Sequence, residues 1–134
     1  MDYFHLNASR EELLNMSSLG LAHLGDGVFE LMVRAWLCLH GKVKVKDLHR
    51  ATVGYVAAPA QAAAMERLLP LLTDEEADVY RRGRNTAPHS VPRAATRAQY
   101  QSATGLEALF GWLYLQGRTD RLNQLIETIM DTPA

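Results

Sequence analysis

Apolar residues recur along most of this chain at the three- and four-residue spacing of amphipathic helices, and the one short alternation, KVKVK at 42–46, has no second strand pattern to pair with. The longest periodic stretch is SLGLAHLGDGVFELMVRAWLCLH, from Ser18 to His40. Positions 21, 24, 28, 31, 35 and 39 form one stripe, and Val33, Trp36 and Leu37 continue around it. A helix apolar on most sides belongs at the centre of a bundle or at a subunit interface. Gly41 stands where a left-handed C-terminal residue is wanted. A second apolar helix is expected from about Thr96 to Gln116, ended by Gly117, with Leu106, Leu109, Phe110, Leu113 and Tyr114 as its buried stripe and Glu107 directly beside it.

Shorter helices fill the intervals. Ser9 to Glu12 and Thr73 to Glu76 match the S/T-x-x-E capping box, in which hydroxyl and carboxylate satisfy free N–H groups at a helix start. A loop carrying the lysines leads into a helix near Lys46; Ala58-Pro59 opens another that runs to Pro70; and Thr119 or Asp120 caps a last one with Leu122, Leu125, Ile126 and Ile129 turned inward. TAPHSVPRAA, Thr86 to Ala95, has two prolines and no apolar period, which makes it an exposed loop displaying His89 and Arg93. The pattern as a whole predicts an all-α bundle, one domain over residues 1–134.

Composition changes this picture little. With 48% hydrophobic and 22% charged residues the chain is ordinary globular protein, and a net charge of -1 announces no polyanionic partner by itself. The cations are nevertheless clustered: Lys42, Lys44, Lys46, His49 and Arg50 form one group, and Arg81, Arg82, Arg84 and Asn85 another. Each cluster suits phosphates, or equally a solvated face and the negative end of a helix dipole. The one cysteine, Cys38, falls in the most apolar helix, which predicts a buried thiol in a reducing compartment. The N-terminus does not read as a signal peptide, and charges interrupt every apolar run too often for a membrane span, so a cytoplasmic location is expected.

Two acidic residues stand out against this background. Asp26, between Gly25 and Gly27, sits among Leu21, Leu24, Val28 and Leu31, where an unpartnered carboxylate would lose much of its hydration. If the two apolar helices pack together, Asp26 and Glu107 face one another. A pair of such carboxylates suits a divalent cation, Mg²⁺ or Mn²⁺; the alternative is a hydrogen-bonded Asp26 and a Glu107 paired with an arginine. Glu30 is either a third ligand or the i+4 partner of Arg34. A cation ringed by basic clusters fits phosphodiester hydrolysis.

Leu24-Gly25-Asp26-Gly27-Val28 resembles the signature helix of the ribonuclease III family, and Gly105-Leu106-Glu107-Ala108-Leu109-Phe110-Gly111 resembles its second acidic motif. LAHLGDGVFE, GKVKVKDLHR, RRGRN and YQSATGLEALFGWLYL, in that order, are similar to the short Mini-ribonuclease III members. The resemblance implies an all-α homodimer that cuts double-stranded RNA with Mg²⁺ to leave 5′-phosphate and 3′-hydroxyl ends, with Asp26 and Glu107 as catalytic and metal-binding residues. It also implies a catalytic domain without an appended double-stranded RNA-binding domain, acting on precursor large-subunit (23S) ribosomal RNA, with a ribosomal protein assisting. RNA contacts then fall to Lys42, Lys44, Lys46, His49, Arg50, Arg81, Arg82, Arg84, Asn85 and Arg93, and the two-fold interface to Leu21, Leu24, Val28 and Leu31. Ala22 and Thr104 stand where the larger family members carry further carboxylates, leaving two acidic ligands of four. The other class of function on the same fold is a non-catalytic RNA- or ribosome-binding module.

Overall fold

The computed structural model describes residues 1–87 and 94–130. Among these, seven α-helices succeed one another: α1 (Arg10–Asn15), α2 (Ser18–His40), α3 (Leu48–Val56), α4 (Ala58–Leu68), α5 (Asp74–Asn85), α6 (Arg97–Leu115) and α7 (Thr119–Met130). Short 3-10 turns at Val45–Asp47 and Leu69–Leu71 precede α3 and follow α4. Lys42 to Lys46 is thus loop and turn, as the absence of a partner strand required. Both capping boxes form, with Ser9 and Thr73 Oγ atoms each accepting an N–H three residues on at 3.1 Å. A third, Thr96 with Gln99, starts α6.

Helix α6 is the axis of the bundle, packed by α2, α5 and α4, and α7 closes the far side. Phe29, Val33 and Leu37 of α2 meet Leu106, Leu109, Phe110 and Leu113 of α6, with the Phe29 and Phe110 rings edge-on at 5.3 Å between centroids. Glu76 and Arg121 staple α5 to α7 in a buried two-pronged pair, 2.8 Å at each prong, and Arg121 also donates to the Leu71 carbonyl.

Several expectations are corrected. The buried stripe of α2 is Ala22, Gly25, Phe29, Val33 and Leu37, with Leu21, and not the series through positions 24, 28, 31, 35 and 39. Apolar residues encircle α2, so periodicity alone left the face open; α6 selects the one that offers glycine for close approach and Phe29 for volume. Cys38 consequently lies on the outer side and is exposed. Gly41 caps α2 in a right-handed conformation (φ -75°), where a Cβ would come within 2.8 Å of the Leu37 carbonyl oxygen, and the left-handed residue is Lys42 (φ 49°). Helix α7 already includes Thr119, since the Leu122 N–H reaches back to the Arg118 carbonyl. Of the Thr86 to Ala95 loop, positions 88–93, with His89 and Arg93, lie outside the described residues.

Candidate active site

The site exists because α2 and α6 cross almost backbone to backbone. A Cβ on Gly25 would sit 1.6 Å from the Glu107 carbonyl oxygen, and one on Gly111 would sit 2.1 Å from that of Leu21. No side chain fits between the helices there, so these two glycines set the crossing point. Gly83 and Gly105 play the same part between α5 and α6, where an added Cβ would meet Ala108 or the Tyr80 ring within 2.7 Å. Gly27 has open space around it and no such role.

At the crossing, Asp26 follows Gly25 and Glu107 supplies the carbonyl against which Gly25 rests, so the two carboxylates come into direct interaction. Glu107 is half-buried, whereas Asp26 is exposed, which corrects the expectation of an aspartate enclosed by leucines. Burial first, and the neighbouring Asp26 carboxylate second, push the Glu107 carboxyl up to about 9, while the Gln61 amide pulls the other way. No lysine, arginine or histidine among the described residues forms an ion pair with either carboxylate. Glu30 is held by Arg34 at 2.8 Å, the i+4 pair.

Neither Ala22 nor Thr104, where the resemblance implies further carboxylates in larger relatives, offers a free oxygen here. Ala22 packs with Leu21 and Ala108, and the Thr104 hydroxyl donates to the Tyr100 carbonyl at 2.9 Å. No group of three or more His, Cys, Asp or Glu side chains among the described residues is arranged to hold a metal ion. The donor set is therefore two carboxylates in a setting that disfavours two negative charges. That chemistry fits a hard divalent cation which keeps most of its own water.

The basic residues fall into two kinds. Lys42, Lys44, Lys46, His49 and Arg50 are all exposed around the start of α3. The arginine run of α5 is partly occupied: Arg81 and Arg82 both clasp Asp78, Arg84 lies over the Tyr80 ring and bonds Asn85, and Arg82 also lines a cavity with Arg10, Glu75 and Trp112. Leu21 is buried within its own subunit, because it packs with Ala22 and Ala108, and so drops out of the expected interface. Leu24, Val28 and Leu31 instead line an outward apolar groove with Tyr3, Phe4 and Tyr114.

Sequence reasoning passed over Gln61. It is buried on the inner face of α4, and the available signal was one amide within the run of small apolar residues AQAAAM, in register with Ala64, Met65 and Leu68.

An all-α bundle whose two central helices bring one aspartate and one glutamate together defines a ribonuclease III-type catalytic domain, and the family described as Ribonuclease III domain matches residues 19–118. A Mini-ribonuclease 3 of Symbiobacterium thermophilum is 47% identical, over 88% of this chain and 91% of its own length. One from Thermoanaerobacter is 41% identical, over 89% and 84%. A crystal structure of a Fusobacterium nucleatum protein superposes with a TM-score of 0.81 at 27% identity, covering 88% of this chain and 96% of that one. The chain belongs to the ribonuclease III family, among its Mini-ribonuclease III members, and is an endoribonuclease.

Proposed function

We propose that this protein is a homodimeric, Mg²⁺-dependent endoribonuclease that cuts double-stranded RNA in the maturation of precursor large-subunit ribosomal RNA. The observation that carries the reading is the pair Asp26 and Glu107, which no cation among the described residues offsets, with the Glu107 carboxyl pushed up to about 9 by burial and by Asp26. In this reading both carboxylates hold the cation, which supplies charge neutralisation at the scissile phosphate and activation of the attacking water. Mn²⁺ serves the same donor set.

The exposed Lys42, Lys44, Lys46, His49 and Arg50, with Arg84 and Asn85, hold phosphates on either side of the cut; Arg81 and Arg82 join them by exchanging Asp78 for phosphate. Recognition of an A-form duplex by shape, phosphates and 2′-hydroxyls needs no base-reading element. Leu24, Val28 and Leu31 support the two-fold interface, since one patch facing its own copy would cover a groove left open in the single chain. Two protomers then give one cut per strand.

The test is cleavage of a perfect RNA duplex, with Mg²⁺ or EDTA, by the wild type, Asp26→Asn and Glu107→Gln. Cleavage confined to wild type with Mg²⁺ is expected, and activity that survives both substitutions or EDTA refutes the site. The ribosomal assignment is tested by presenting the precursor's terminal stem free or complexed with ribosomal proteins. Equal, slow cutting of that stem and of an unrelated duplex in both settings contradicts it.

A further inference from the structure

Four polar side chains are buried among the described residues: Thr52, Gln61, Glu76 and Thr104. Three have evident partners, the Leu48 carbonyl for Thr52, Arg121 for Glu76 and the Tyr100 carbonyl for Thr104. Gln61 differs. It is 1% exposed, and its Nε2 is closed off from solvent and makes no hydrogen bond. A buried donor without an acceptor destabilises a fold, and an apolar residue of similar shape would fill this position in α4 more favourably.

Its surroundings put it beside the helix of the candidate site. Gln61 lies on the face of α4 that packs against α6, the helix that carries Glu107. The amide lies within interaction range of the Glu107 carboxylate without forming a hydrogen bond to it.

We propose that Gln61 is a positioning residue whose buried amide N–H is reserved for the Glu107 carboxylate in the cation-loaded site. There it would hold the carboxylate in one orientation beside Asp26. With two acidic ligands in place of four, the orientation of each matters more, and a neutral donor orients Glu107 without competing for it as an arginine would. Partners of metal ligands in such positions are commonly worth ten- to a hundredfold in affinity or activity. The proposal rests on the reading of Asp26 and Glu107 as the cation site.

Gln61→Met tests it, because methionine fills the space and removes the donor. The expected result is a melting temperature in EDTA equal to or above that of the wild type, Mn²⁺ affinity by electron paramagnetic resonance weakened about tenfold, and kcat on duplex RNA lowered about tenfold at limiting Mg²⁺ with KM for RNA within twofold. Added Mg²⁺ should restore kcat. A lowered melting temperature with unchanged Mn²⁺ affinity makes Gln61 a packing residue and overturns the proposal, as does a raised melting temperature with both constants unchanged.

Should Gln61→Met fail to fold, the wild type gives the answer: Mg²⁺ should shift the Gln61 side-chain amide NMR signals and slow their exchange, and signals that stay fixed while the Glu107 backbone amide moves are contrary evidence. Glu107→Gln separates the two levels. If it binds Mn²⁺ as tightly as the wild type, the cation-site reading has failed; if it does not, and Gln61→Met does, only the positioning role has failed.

Discussion

Replacing Glu107 by glutamine should stabilise the metal-free protein, and by an amount that grows with pH. In the folded chain the Glu107 carboxyl is pushed from its ordinary 4.5 to about 9, through burial against α2 and α4 and through the neighbouring Asp26. The folded state therefore holds a proton that the unfolded chain releases, and stability present below pH 4.5 is lost progressively as pH rises toward 9. At 1.36 kcal/mol per pH unit, the loss by pH 7 amounts to about 3 kcal/mol for full coupling. Asp26 is exposed and its contribution is screened by water, which brings the figure to between about 1 and 3 kcal/mol. Glutamine keeps the shape and one carbonyl acceptor but has no proton to lose, so Glu107→Gln escapes the decline.

Urea unfolding of both proteins in EDTA, from pH 5 to 8.5, measures the effect. The stability difference in favour of Glu107→Gln should widen with pH, at a slope no steeper than about 1.4 kcal/mol per unit. On the proposed cation site, Mg²⁺ should reverse the order, because the wild type alone would offer it two carboxylates. Parallel pH profiles, or a wild type that is more stable throughout in EDTA, would refute the account of Glu107 as a carboxyl kept protonated by its setting.

Other consequences are open to measurement. Gly25→Ala should prevent folding or cost more than about 3 kcal/mol, since its Cβ would land on the Glu107 carbonyl, whereas Gly27→Ala should stabilise α2 by about 0.5–1 kcal/mol; equal melting temperatures for the two would contradict the close crossing. Arg121→Ala leaves Glu76 buried without its cation and should cost about 3 kcal/mol in thermal unfolding. Desolvation raises the Glu76 carboxyl, but bonds from Arg121 and the Thr73 N–H outweigh it and hold it below its ordinary value, so this stabilisation is present above about pH 4.5 and fades as pH falls; Arg121→Ala should show a flatter acid limb. On the proposed two-fold assembly, Leu31→Glu should shift sedimentation from dimer to monomer; a variant that remains dimeric places the interface elsewhere, and a monomeric wild type refutes the assembly. Replacing Lys44 or Arg50 should make the dependence of log affinity on log salt for duplex RNA shallower by roughly one unit each, and an unchanged slope removes that residue from the phosphate contacts.

The features legible in the sequence are those set by neighbours along the chain. Ser9 and Thr73 cap their helices because the hydroxyl, the N–H and the glutamate all lie within four residues, and Glu30 pairs with Arg34 because one helical turn brings them together. The two acidic motifs were visible as well, since Asp26 and Glu107 each sit in a short, glycine-marked segment of an apolar helix.

What depended on helices meeting across the bundle was decided only by the tertiary structure. Helix α2 is apolar nearly all round, and its periodicity supports several buried faces. Contact with α6 selected Phe29, Val33 and Leu37, which turned Cys38, Asp26 and Leu31 outward and drew Leu21 in. Gly25 and Gly111 gave no sign from spacing that they were the contact, yet their lack of side chains lets the two backbones touch and so brings Asp26 to Glu107. The same packing encloses Gln61. Secondary structure here follows from local chemistry, whereas the exposure of each group and the identity of its partner follow from which surfaces can approach most closely.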